Sequence, residues 1–163
     1  MTEKIIDFLS GLPNEAITTI IAALPVVELR LSLPLAYTKL QLPLSQALLF
    51  SYIGNMLPVI PLLILLEPVS ARLRRFLIWR KFFDWLFERT RKRAEIVQRY
   101  EAIGLVLLVA IPLPATGAWT GCIAASLFKI KFRYAFPAIL LGVLIAGVIV
   151  SVITLMGVHY TGP

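Results

Sequence analysis

The chain has 163 residues, 59% of them hydrophobic, with a formal net charge of +7. Soluble domains carry roughly 45–50% apolar residues, and a soluble bundle of this composition would have outer faces with no polar residues to meet water. One cysteine, Cys122, and one histidine exclude an intrachain disulfide and a His/Cys metal centre. No glycine-rich phosphate loop is present, so the chain is not expected to hydrolyse ATP, to act as an enzyme or to carry a cofactor.

Residues 1–12 place Ile5, Ile6 and Leu9 at helical spacing beside Glu3, Lys4 and Asp7, the pattern of a short interfacial helix. The stretch lacks the basic start and small-residue cleavage site of a signal peptide. Asn14 then stands as a helix N-cap. The uncharged run from Ala16 to Val27 is too short to span a bilayer. A second short apolar piece, residues 31–38, follows Pro25 and the charged pair Glu28 and Arg30, so residues 14–39 read as a re-entrant hairpin. Residues 44–66 hold no charge and form a full span, interrupted by Gly54-Asn55, Pro58 and Pro61.

The segment 67–99 differs in kind. Most of the sixteen Lys and Arg residues lie between Arg72 and Arg99. Phe76, Trp79, Phe83 and Leu86 share one helical face, with Arg72, Arg75, Arg80, Arg89, Lys92 and Arg93 interleaved. This predicts a basic amphipathic helix on the cytoplasmic membrane surface, its aromatic residues toward the acyl boundary and its cations toward anionic headgroups. The competing reading is a solvated loop whose charges only set orientation. Either use of the charge leaves no call for nucleic acid.

In "AIGLVLLVAIPLPATGAWTGCIAASLF", residues 102–128, Pro112 and Pro114 break a run that is otherwise long enough to span. A second hairpin is expected, with arms 102–111 and 116–128, then the loop "KIKFR" and a full span over 134–158. Each half is hairpin, short loop, span, at an offset of about 90 residues. With residues 67–99 cytoplasmic, the halves have opposite orientation, an inverted-topology repeat with its site where the hairpin tips meet.

Ionisable residues at membrane depth mark function, so Glu28 is the leading candidate for proton coupling, against the alternative that it only complements a helix N-terminus. Arg30 is a counter-charge or anion contact, or else snorkels to the interface. Pro25 and Pro34 shape the first hairpin. Asn55, Thr116, Trp119 and Thr120 add uncharged polar groups to a central cavity. Gly117, Gly121 and Ala125 form a small-residue stripe whose default role is close packing, as is that of Cys122.

"PVVELRLSLP" and "AIPLPATGAWTGCIAA" together resemble the small multidrug export protein family, a distant branch of the DedA/VTT-domain superfamily of membrane proteins. The resemblance covers roughly residues 14–158. It implies two membrane-embedded hairpins in inverted repeats, with Glu28 and Arg30 at the core of the first motif and Pro112, Pro114, Thr116, Gly117, Trp119 and Gly121 in the second. The expected protein is an all-α membrane domain, a homodimer in a prokaryotic plasma membrane, moving a small molecule in exchange for protons. A DedA-type lipid translocase or scramblase is the alternative, and a non-transporting scaffold the third.

Overall fold

The computed structural model of the chain describes residues 11–73, 75–112 and 116–161. The interfacial helix expected at 1–12 falls almost wholly outside them, as does Pro114. The chain is 81% helical, and among the described residues there is no strand. The helices are α1 (Asn14–Ala23), α2 (Glu28–Thr38), α3 (Leu44–Met56), α4 (Val59–Leu73), α5 (Leu77–Arg93), α6 (Glu95–Ala110), α7 (Ala118–Leu127) and α8 (Phe132–Thr161). They form two compact units. One takes in α1 to α3 and α8 from Ala146 on; the other takes in α4 to α7 and α8 up to Ile145.

In the first unit α1, α2 and α3 pack against one another. Ile17 and Ile21 of α1 and Val27 of the following turn close a small apolar core. Gly54 lets α1 and α3 approach: a methyl there would run into the carbonyl oxygen of Thr19 and sit 2.8 Å from Ala22 Cβ. Leu24 leaves the helix in extended geometry, φ −73° and ψ 137°. The chain turns through exposed Pro25 and Val26 and re-enters a helix at Glu28, whose φ is 49°. Asn14 is not the N-cap expected of it. Pro13 takes that position, and the Asn14 amide instead donates to the Leu40 carbonyl at 3.0 Å. It thereby ties the start of α1 to the connector after α2.

That connector has a counterpart in the second unit. After α2, Leu40 N–H bonds the Leu35 carbonyl at 3.1 Å, and Gln41 has φ 55°. After α7, Ile130 N–H bonds the Ala125 carbonyl at 2.9 Å, and Lys129 has φ 54°. In both places a helix of 10 or 11 residues closes through an i→i−5 bond, the left-handed residue following the bond donor after α2 and preceding it after α7, and an apolar helix starts within a few residues.

In the second unit α7 packs against α4, α5 and α6. Its core joins Ala94, Val97, Leu105, Leu108, Ala124 and Ala125 with Ala135 and Ala138 of α8. Alanines dominate the contact faces, so the helices pack closely through van der Waals contact. α6 is kinked at Glu101, φ 46° and ψ −115°, near the start of its apolar arm Tyr100–Ala110.

The basic segment 67–99 is not one helix. Residues 67–73 continue the apolar α4 past the expected end at 66, a short break follows, α5 runs to Arg93, and Ala94 separates it from α6. Phe83, expected to face lipid with Phe76 and Leu86, is buried within the unit. Phe82 and Trp85 stand exposed instead. The side chains of Trp79, Lys92 and Arg93 lie outside the described set.

Two stretches are long and apolar enough to cross a membrane, Leu44–Arg72 and Phe132–Val158. Only 22% of the most apolar window of the first is buried, whereas the core helix of a soluble protein would be covered. Leu49 and Ile53 lie exposed on α3, and Ile60 and Ile64 on α4, surfaces suited to acyl chains.

Candidate functional site: a buried polar seam between α2 and α3

The short connector 39–43 makes α2 and α3 antiparallel neighbours. Their register is fixed by contacts. Ala36 and Ala47 share one apolar cluster with Leu42. One turn further from the connector on both helices, Ser32 Oγ donates to Ser51 Oγ at 2.9 Å. A turn beyond that stand Glu28 and Asn55. Glu28, Ser32, Ser51 and Asn55 are all buried, at 7%, 1%, 0% and 4% exposure. The seam therefore begins dry and aliphatic and ends on a carboxyl and an amide.

Glu28 is the first residue of α2, where the helix N-terminus favours a negative group. Arg30 follows two residues on and is half-buried. The left-handed backbone at Glu28 departs from regular helical geometry, in which i and i+2 diverge. Pro25 lies in the exposed turn, and Pro34 is accommodated inside α2, its carbonyl accepting from Thr38 Oγ1 at 2.7 Å.

Other buried hydroxyls in this unit serve their own helices. Thr18 donates to the Asn14 carbonyl, Ser151 to Gly147 and Thr154 to Val150. Gly147 leaves room for the Tyr52 ring, so that α8 closes against α3.

The second motif belongs to the other unit. Pro112 is half-buried beyond the end of α6. Thr116 is buried and donates to the Ile111 carbonyl at 3.1 Å. Gly117 caps α7 with φ 149°, a backbone that side chains avoid. That backbone serves the turn into α7. Gly121 does serve packing: a methyl there would meet Val109 Cγ2 at 2.7 Å. Trp119 and Thr120 are half-buried on α7. Cys122 is buried and unoxidised, its Sγ 3.9 Å from the Val59 carbonyl.

Of the surface cations, Arg72, Arg75, Arg80 and Arg89 are exposed. Arg80 lies 3.9 Å from Asp84, and Arg89 sits over the Trp85 ring at 5.3 Å. A cleft of ≈ 280 Å³ is lined by Lys129, Lys131, Arg133 and Tyr134 with Glu101 and Phe128. Sequence reasoning missed Ser32 and Ser51. Their only signal is the four-residue step that Ser32 makes with Glu28 and Ser51 with Asn55, visible once the two helices are set antiparallel.

No curated protein and no solved structure shows significant similarity to this chain. A family model described as "Putative small multi-drug export protein" matches residues 28–149, beginning at Glu28 itself. The chain belongs to that family of export proteins.

Proposed function

We propose that the chain is a small secondary exporter in which Glu28 exchanges protons as cargo crosses, with Arg30 as its counter-charge. The observation that carries this reading is a carboxyl buried at the start of a short helix in a chain of membrane-crossing length. A charged group at membrane depth costs about 2.5–3.5 kcal/mol or more, so one that is kept there marks a function. The helix N-terminus offsets part of that cost, and so does the charge of Arg30.

The hairpins are read as re-entrant, in an inverted repeat. Their arms of 10 or 11 residues reach only about 15–17 Å at 1.5 Å per residue, half of a hydrocarbon core. The matched connectors after α2 and α7 support the repeat. So does the packing of the first hairpin on α3 and of α7 on α4, successive portions of one apolar stretch.

A lipid translocase is the second reading, favoured by the basic cleft at Lys129, Lys131 and Arg133 and by exposed Phe82 and Trp85 on α5. Everted vesicles energised by a pH gradient, with ethidium as the probe, test the first reading: export is expected from the native chain and not from Glu28→Gln. Equal export by both would remove Glu28 from the mechanism. Dithionite quenching of fluorescent lipids without any gradient would instead favour the second.

A further inference from the structure

Among the described residues, Asn55 Oδ1 is a buried side-chain oxygen with no hydrogen-bond partner. Leaving a buried acceptor unsatisfied costs about 1–3 kcal/mol, and the residue holding it is 4% exposed. Buried polar atoms of this kind call for an explanation. The register of α2 and α3 offers one. Ala36 faces Ala47, and Ser32 bonds Ser51. One turn further along stand Glu28, whose φ of 49° opens the first turn of α2, and Asn55 of α3. An ionised carboxylate only accepts hydrogen bonds and can do nothing for Oδ1, whereas a protonated carboxyl donates.

We infer that Asn55 is the acceptor for the protonated form of Glu28, so that the two residues make a proton-holding site at the end of the seam. It rests on the reading of Glu28 as the proton-linked carboxyl and names the residue that sets when the proton is held. In the loaded state the carboxyl O–H donates to Asn55 Oδ1, and the orphan acceptor is satisfied. On release the proton passes to water, the carboxylate falls under the charge of Arg30, and Oδ1 is left bare. The protonated carboxyl can donate to an acceptor that the ionised one cannot serve. The Ser32–Ser51 bond one turn away holds the two helices in register for the exchange.

Other charges are few. On the elements packed around Glu28, α1 carries only Glu15, at its opposite end; α3 carries no charge and one phenol, Tyr52; residues 146–158 of α8 carry none. Arg30 is the near group, with Tyr37 and Lys39 toward the connector.

The test is an infrared pH titration of the intact protein in nanodiscs, following the carboxyl C=O band that Glu28→Gln removes. Asn55→Leu keeps the branched shape and deletes the acceptor. One hydrogen bond made only by the protonated form corresponds to about one pH unit, so the midpoint is expected to move about one unit toward acid. Asn55→Asp, of the same shape, is expected to move it toward alkali, since two facing carboxylates resist ionisation together; it also keeps the test in hand should the leucine variant not assemble. An unmoved midpoint in either variant overturns the inference. So does an alkaline shift in Asn55→Leu, which would mean that the amide N–H serves the ionised carboxylate. Ethidium export reads the earlier proposal by itself: normal export by Glu28→Gln sinks proton coupling, whereas the carboxyl titration decides the role of Asn55.

Discussion

Gly54→Ala is expected to loosen the first unit, and the structure supplies its own control. A methyl at Gly54 would meet the Thr19 carbonyl oxygen and lie 2.8 Å from Ala22 Cβ, whereas a methyl at Gly157 meets nothing within 4 Å. Both glycines lie within helices, so both substitutions gain about 1 kcal/mol of helix propensity. Their difference isolates the collision. Carbon atoms rest about 3.5–4.0 Å apart, so α1 must retreat by roughly 1 Å from α3 at this contact. Overpacking of that order costs about 1–3 kcal/mol. Taking 2 kcal/mol, Gly54→Ala should melt roughly 4–8 °C below Gly157→Ala. Thermal unfolding of the two variants in one detergent, followed by circular dichroism, makes the comparison. A Gly54→Ala protein as stable as Gly157→Ala would refute the close approach of α1 and α3.

Other outcomes follow from single contacts. Gly117→Ala must adopt φ 149° and should lose about 1–3 kcal/mol of stability, measured by the same melts. A double-mutant cycle of Ser32→Ala and Ser51→Ala should return a coupling of about 0.5–1.5 kcal/mol for their 2.9 Å bond; a coupling of zero would dissolve the seam. Cys122 is buried and should resist maleimide until the protein is denatured. In a Cys122→Ala background, Arg89→Cys should label from the cytoplasmic side of intact cells, and labelling from outside would reverse the assumed orientation.

The spans were readable because charge is excluded from 44–66 and 134–158, and exclusion needs no knowledge of neighbours. Their ends were not. α4 runs through Glu67 and Pro68 to Leu73, so one acid and one proline near a helix end do not terminate it. The helix breaks at 24–27 and after Ala110 were announced by Pro25 and Pro112. Periodicity also found the apolar face of α5, yet it could not say that Phe83 meets protein while Phe82 and Trp85 stay outside. Asn14 misled because a cap is a local device, and its amide reaches a carbonyl 26 residues away. The seam was hidden for a related reason. A serine in an apolar helix commonly bonds its own backbone, as Ser151 does, and only the pairing of α2 with α3 gives Ser32 a partner across the gap.

The connector after α7 places a lysine where the backbone asks for glycine. Lys129 has φ 54°, and a left-handed conformation costs a side-chain-bearing residue roughly 1–2 kcal/mol. Glycine would remove that strain and tighten the turn. It would also strip one of three cations, Lys129, Lys131 and Arg133, at the start of the last apolar helix, and cations at such a place help decide which way a nascent helix enters the bilayer. The folded protein and the ribosome-bound chain thus press for different residues at one position. Lysine is the answer of a molecule that must first be inserted correctly and only afterwards be stable.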